Sequence, residues 1–435
     1  MPPPPLRSVE AQQAAVLGAV RPLAPVTVPL ADALGRTLAA PVVAAHPLPP
    51  FDNSSMDGYA VHRSDVAAAS AGSPIVLEVV ADVAAGSPLD PPLPAGTAAR
   101  VMTGAPVPSA ADAVVPVEHT AEFVTHAASG GWHPVSDAAT DAPPHPTITV
   151  TTAPERGAYI RRAGEDVRAG EIVLDIGVLL TARHVAAAAG AGAAEVDVRP
   201  APRVAVISTG SELRPLGARL ERGQIPESNS LLLAGLVAEA GGVMVHRSTV
   251  ADDEDALRAT LESVEAAGAD LVVLTGGVSV GVYDVVKSVL STFGTVEFVK
   301  VAMQPGKPQA FGRLPGGTPV FGLPGNPVSV AVSFEVLVRP ALLRMQGRSR
   351  VHRPALRVIA AAGWRTPPER TQFMPVTFGA PTAPGGAPTV RPATSGGSGS
   401  HLVGGLAAAD GFAVVPADWD EVRPGDELTA IPVTP

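Results

Sequence analysis

Apolar and polar positions change rhythm several times along the chain. Residues 8–20 (SVEAQQAAVLGAV) carry apolar side chains at helical spacing and read as a short amphipathic helix. VTVPLADALGRTLAA (26–40) reads as a strand followed by a helix, with Asp32 near the helix start, and a loop then fills 41–60. Between 72 and 152 come short Val-rich runs, SPIVLEVV, AARVMTG, DAVVPVE and PTITVTT, separated by Pro, Gly and Asp. That is strand-and-turn composition and predicts a small β domain. Residues 156–199 are mixed, with RRAGEDVRAGEIVL as loop and strand and 181–190 as a helix.

A regular alternation begins at 202. PRVAVISTG is a buried strand ending in a turn, and NSLLLAGLVAEAGG a helix with an Asn/Ser start and a Gly-Gly stop. VMVHRSTV, ADLVVLTGG, VEFVKVAM and GTPVFGLPG read as further strands. DEDALRATLESVEAAG, VYDVVKSVLSTFG and the long NPVSVAVSFEVLVRPALLRMQG read as helices. Strand alternating with helix predicts a doubly wound, mostly parallel α/β sheet covered on both faces. After GRSRVHRP, residues 354–435 are strand-like again, with Gly/Pro turns, which fits a small β-barrel or sandwich.

The bulk properties narrow the function classes. A chain of 435 residues exceeds one ordinary core, so several domains are expected. The formal charge of −10 argues against nucleic acid as a partner. With no cysteine, disulfides, thiolate metal sites and cysteine nucleophiles are excluded. No apolar run reaches the ~20 residues of a membrane span, and MPPPPLRSVE lacks the apolar core of a signal peptide. A cytoplasmic, soluble protein is expected. The three lysines, Lys287, Lys300 and Lys307, fall in one short window of a chain that otherwise uses arginine.

Ligands of an open α/β sheet bind outside the carboxyl ends of its strands. Four loops are expected there. STGSEL holds Gly210 and Glu212; TGGVSVGVYD holds Gly276, Gly277, Ser279 and Asp284; MQPGKP holds Pro305, Gly306 and Lys307; GLPGNPVSV holds Pro324, Gly325, Asn326 and Ser329. Glycines let the backbone approach a phosphate, and hydroxyls donate to it. The Pro-Gly-Asn-Pro turn leads into a helix whose N-terminus favours negative charge, and Lys307 adds an ammonium. Glu212 and Asp284 suit a Mg²⁺ bridging to a phosphate; equally, Asp284 is placed to cap a helix and Glu212 to be a solvated loop acid. Neither the GxxxxGK[ST] nor the GxGxxG pattern is present. The stretch FDNSSMDGYA (51–60) reads on its own as a structural turn, with Asp52 and Asn53 fixing it, Gly58 at positive φ and Tyr59 filling a small core.

FDNSSMDGYA, RVMTGAPVP followed by ADAVVPVE, RRAGEDVRAGE, VISTGSEL, GGVSVGVYD and GLPGNPVS occur in the order found in the molybdopterin molybdenumtransferases. The chain thus resembles the MoeA/gephyrin E-domain family over roughly residues 8–430. The resemblance implies a Mg²⁺-dependent transferase that takes molybdate and adenylylated molybdopterin, inserts molybdenum and releases AMP. It implies four domains: an elongated linker-like domain from 8–50 and 153–199, a small β domain at 51–152, an α/β domain at 200–347 resembling the molybdopterin adenylyltransferases, and a C-terminal β-barrel at 348–435. It also implies a homodimer in which the β domain of one chain faces the cleft of the other, and leaves room for an adenylyltransferase and molybdoenzymes as partners.

Carried over position by position, the acids are Asp57, Asp166, Glu212, Asp252 and Asp284, with Thr103 as a hydroxyl neighbour and Lys300 as a basic position. The molybdate ligands are Lys307, Ser329, Arg370 and Ser400. One departure is visible, because many members carry a second lysine where this chain has Gln304. Two alternatives remain: adenylyl transfer to molybdopterin, which would need only the α/β domain, and a non-enzymatic scaffold like gephyrin.

Overall fold

The computed structural model describes residues 6–121, 146–277, 285–381 and 383–433. Ser279 and Asp284 lie outside the described residues.

Two distant segments build the first core. Val26–Pro29 and Thr37–Leu38 flank Glu195–Arg199 in an antiparallel three-stranded sheet. Leu30, Leu38, Leu180, Ala188 and Val198 pack beneath it. The helix expected in the second part of 26–40 is not formed. Leu30–Asp32 is a single 3₁₀ turn, Gly35 takes φ +76, and Thr37 pairs with Arg199. A left-handed glycine followed by strand pairing ends any helix that LADAL could begin.

Inserted between those segments is a five-stranded sheet: β1 (Gly58–Val61), β2 (Ile75–Val83), β3 (Thr97–Val101), β4 (Ala113–Pro116) and β5 (Thr147–Val150), in the order β4-β1-β3-β2-β5. The last three residues of FDNSSMDGYA therefore open a buried strand within the sheet, and Tyr59 is buried in its core. Gly58 is not a positive-φ residue. A Cβ there would lie 2.3 Å from the Val115 carbonyl oxygen, so this glycine serves close strand approach. Asp52 reaches across to the Ala163 N–H (2.8 Å) and Arg162 (2.6 Å). That backbone donor, aided by the guanidinium, holds its carboxyl below the usual range.

The next sheet has six strands: β6 (Arg203–Thr209), β7 (Val243–Val250), β8 (Leu271–Thr275), β9 (Glu297–Lys300), β10 (Pro308–Arg313) and β11 (Pro319–Leu323). Their order is β7-β6-β8-β11-β10-β9, with β10 antiparallel to both neighbours and the rest parallel. Along β6 the two-residue period sends Val204 and Val206 to one core and Ala205 and Ile207 to the other. Helix α1 (Val9–Ala19), helix Asn229–Glu239 and the long helix starting at Pro327 cover the first face. Helices Glu254–Ala266 and Val285–Ser291 cover the second. The long helix contains one π turn, Phe334–Val338. There Glu335 is buried against Arg353 (3.0 Å) and Arg339 (3.7 Å). Burial pushes its carboxyl up, and the two arginines pull it part of the way back.

Five strands of the C-terminal region, β12 (Leu356–Ala360), β13 (Thr371–Gly379), β14 (Thr389–Pro392), β15 (Gly411–Val415) and β16 (Glu427–Pro432), close into a barrel. Closure follows because β13 pairs with both β14 and β15. The barrel is tied to the α/β sheet by Met303–Gln304, which runs parallel to Thr371–Gln372. Phe373 and Phe412 also enter the core beneath the α/β sheet.

Candidate functional site

Because β6, β8, β9 and β11 are parallel, their carboxyl ends share one edge of the sheet. The chain order of β7, β6 and β8 reverses direction at β6, the kind of switch point where a crevice opens. A cavity of about 800 Å³ lies on this edge, walled on the far side by the barrel loop 398–401. Gly210, Glu212, Asp252, Gly276, Gly277, Pro305, Gly306 and Lys307 line it, as do Pro324, Gly325, Asn326, Ser329, Arg370 and Ser400.

The glycines there have geometric reasons to be glycines. Gly276 takes φ +96, and a Cβ on it would stand 2.3 Å from the Thr209 carbonyl oxygen. Gly306 takes φ +102 against Ser333 Oγ. Its carbonyl is pinned by Gln309 Nε2 at 2.6 Å, and the same nitrogen donates to Ser333 Oγ at 2.7 Å. This buried bracket fixes the loop that carries Lys307 to the long helix.

Asn326 stands at the N-cap of that helix, with Pro327 next in sequence. Its amide does not cap the helix but donates to Ser400 Oγ (3.0 Å), while the Val328 N–H donates to the Ser400 carbonyl (3.0 Å). The helix N-terminus and the barrel loop are thus joined at the cavity wall.

Two side chains missed from sequence hold the opposite wall. Asn229 Nδ2 bridges Thr275 Oγ1 (3.1 Å) and the Gly325 carbonyl (2.6 Å), clamping two of the glycine loops together. Glu227, buried, accepts from Ser208 Oγ (2.9 Å), the Ser230 N–H (2.9 Å) and Ser230 Oγ (2.5 Å). The Asn/Ser start read as a helix cap is instead part of the cavity wall. Its sequence signal, polar residues before a helix, is the same as that of an ordinary cap. His401 and Ser398 also line the cavity, and no sequence motif singled them out.

The acids at the rim differ in how they are engaged. Asp252 Oδ2 accepts the Ser211 N–H at 3.0 Å. Glu212 is exposed, its carboxylate folded back over the Gly210 Cα, where a Cβ would lie 2.6 Å from Oε2. Among the described residues nothing donates to that carboxylate, and no cluster of three His, Asp or Glu forms a ready-made metal site. One open carboxylate and one partly engaged carboxylate fit a Mg²⁺ that takes one or two protein oxygens and completes its shell with water and phosphate.

The remaining expected residues lie elsewhere on the chain. Asp57 Oδ1 accepts both the N–H (2.7 Å) and Oγ–H (2.9 Å) of Thr103, so these two come together, exposed, where β1 begins and β3 ends. Asp166 is exposed in the turn after Arg162, and Lys300 is exposed at the end of β9. None of Asp57, Thr103, Asp166 and Lys300 lines the cavity. Of the three clustered lysines, only Lys307 does.

Three family models match successive stretches of the chain. Residues 7–192 match the MoeA N-terminal region (domain I and II), 205–344 a probable molybdopterin binding domain, and 357–433 the MoeA C-terminal region (domain IV). The chain is 41% identical over 432 residues to molybdopterin molybdenumtransferase 2 of Mycobacterium tuberculosis, covering 97% of this chain and 98% of the other. Molybdopterin molybdenumtransferase 1 of the same organism is 34% identical, with 97% of each chain covered. The crystal structure of the molybdopterin biosynthesis MoeA protein of Pyrococcus horikoshii superposes with a TM-score of 0.78 at 28% identity, covering 98% of this chain and 100% of that one.

Proposed function

The chain belongs to the MoeA family of molybdopterin molybdenumtransferases, and we propose that it transfers molybdenum from molybdate to adenylylated molybdopterin, releasing AMP. The observation that carries the finer part of this reading is the cavity itself. Glycine loops, a helix N-terminus, Lys307, Arg370 and the Ser329 and Ser400 hydroxyls converge on one volume of about 800 Å³. An adenylylated pterin phosphate is an extended polyanion, and molybdate is a second, tetrahedral one. Both are recognised by closely approaching N–H groups, fixed cations and hydroxyl donors.

In this reading Gly210, Gly276, Gly277, Pro324 and Gly325 admit the phosphates to the backbone. Lys307, Ser329, Arg370 and Ser400 hold the molybdate. Glu212 and Asp252, with Asp284 assigned by resemblance, would hold Mg²⁺, which would supply charge neutralisation at the phosphate that leaves with AMP. Ser279 belongs to the same loop as Asp284 and is assigned to the phosphates by its hydroxyl. Asp57, Thr103, Asp166 and Lys300 are assigned to the active site by resemblance. That none of them lines this chain's own cavity supports a homodimer in which Asp57 and Thr103 complete the partner's site.

The test is incubation of the purified chain with adenylylated molybdopterin, molybdate and Mg²⁺, following AMP release and cofactor formation. Molybdate-dependent AMP release is the expected result. Adenylylation of molybdopterin from ATP, with no molybdate-dependent step, would instead establish the adenylyltransferase alternative.

A further inference from the structure

The barrel wall of the cavity contains a hydrogen-bond chain whose direction is fixed. Trp364 Nε1–H donates to Gln372 Oε1 at 2.9 Å, and Gln372 Nε2 donates to Ser398 Oγ at 3.0 Å. Amide orientation is ordinarily assigned from the surrounding network. Here the indole settles it, because Trp Nε1 is a donor only, so the oxygen of Gln372 must face Trp364 and its NH₂ must face Ser398. Gln372 and Ser398 are both buried, at 2% and 8% exposure. A hydroxyl that accepts from an amide keeps one hydrogen, and among the described residues no protein acceptor takes the one on Ser398. Ser398 lines the cavity alongside Arg370, Ser400 and Lys307.

We propose that Ser398 donates its hydroxyl proton to a tetrahedral oxoanion in the cavity, with Trp364 and Gln372 as positioning residues that enforce this direction. The proposal rests on the molybdate reading of the cavity given above and commits to molybdate rather than the nucleotide phosphate. Arg370, two residues before Gln372, brings its cation to the same wall. Gln304 pairs in register with Gln372, so the strand beside this relay brings an amide rather than an ammonium to the cavity. With Lys307 and Arg370 the only lysine and arginine among the described residues that line the cavity, a polarised neutral donor carries part of the anion's recognition. Accepting from the Gln372 amide makes the Ser398 O–H a stronger donor in turn.

The test uses the full-length protein and equilibrium titration calorimetry in two arms, sodium molybdate in the presence of AMP and Mg²⁺, and AMP alone. Ser398→Ala should weaken molybdate roughly tenfold, the scale of one hydrogen bond to a charged group, and leave AMP within about twofold. Ser398→Thr, which keeps the hydroxyl, should restore binding. Trp364→Phe frees the Gln372 amide to rotate and take the serine proton, so it should weaken molybdate similarly. The Trp364→Phe/Ser398→Ala double variant should be no weaker than Ser398→Ala alone, because the indole acts only through the hydroxyl. Additive losses, or a loss confined to the AMP arm, would overturn the proposal. So would unchanged molybdate affinity in Ser398→Ala when Arg370→Ala weakens it, and in that case the cavity reading would survive. If Arg370→Ala and Lys307→Ala also leave molybdate unaffected, the cavity reading itself fails and the role of Ser398 falls with it.

Discussion

Gly276 and Gly317 form a natural pair for measuring what the glycine rim requires. Their φ angles are nearly the same, +96 and +99, so replacing either with alanine places an L side chain in the same unfavourable region. That strain costs about 1–2 kcal/mol at each. Their surroundings differ. A Cβ at Gly317 meets nothing within 4 Å, whereas at Gly276 it lies 2.3 Å from the Thr209 carbonyl oxygen and 2.9 Å from Thr209 Oγ1. The first of these is backbone in the adjacent strand and cannot swing aside, so overpacking adds about 1–3 kcal/mol at Gly276 alone. Any gain from a stiffer unfolded chain is common to both variants and cancels in the comparison. Gly276→Ala should therefore melt roughly 2–12 °C below Gly317→Ala, at about 2–4 °C per kcal/mol. Circular dichroism with temperature measures this. AMP titration should show weaker binding in Gly276→Ala only, since relieving the clash moves the rim. If Gly276→Ala melts at or above Gly317→Ala, the close approach of the two strand ends is not what requires glycine there.

Other predictions follow from the buried charges and the cavity. Arg353→Met takes away the hydrogen-bonded partner of buried Glu335 and leaves it only Arg339 at 3.7 Å, so it should cost about 1–3 kcal/mol in chemical denaturation. Glu335 has a folded pKa raised by burial, so its contribution to stability is full below the unfolded value of about 4.5 and is lost as pH rises through the folded value. Stability measured across that window should fall less steeply in Glu335→Gln than in the wild type; an identical slope would remove Glu335 from the explanation. Lys307→Ala and Arg370→Ala should raise the molybdate concentration needed for turnover about tenfold or more while changing AMP affinity little. The Asp57→Ala and Glu212→Ala proteins should each be inactive, and mixing them should restore activity if, as proposed, two chains share their sites; no recovery would show that each chain works alone.

Much of this architecture is legible in the sequence because burial on both faces of a parallel strand leaves a continuous apolar run, as in RVAVIST and LVVLT. The missed strand, PQAFGR, opens with proline, carries an internal glycine and lies after a turn motif, so its pattern reads as loop. Its glycine is needed because a Cβ on Gly312 would stand 2.2 Å from the Thr295 carbonyl. The rim glycines and Lys307 could be found from strand-end position alone. Glu227, Asn229 and Ser398 could not, because their work is done across 19 to 96 residues of separation by hydrogen bonds to Ser208, Gly325 and Gln372. A polar residue before a helix or in a Gly/Ser loop looks the same whether it caps, faces water or clamps a distant turn.

Helix α1 packs its Val9 and Val16 into the core completed by Val336, Leu337 and Ala341, and Gln13 Nε2 donates to the Val336 carbonyl at 3.0 Å. An eleven-residue helix is marginal alone in water. During synthesis the segment leaves the ribosome well before its docking surface, which is made some 320 residues later, roughly 15–65 s at ordinary elongation rates. For that interval the apolar face of this segment has no surface to pack against. The α/β core, its stabilising helix included, can close only when most of the protein already exists.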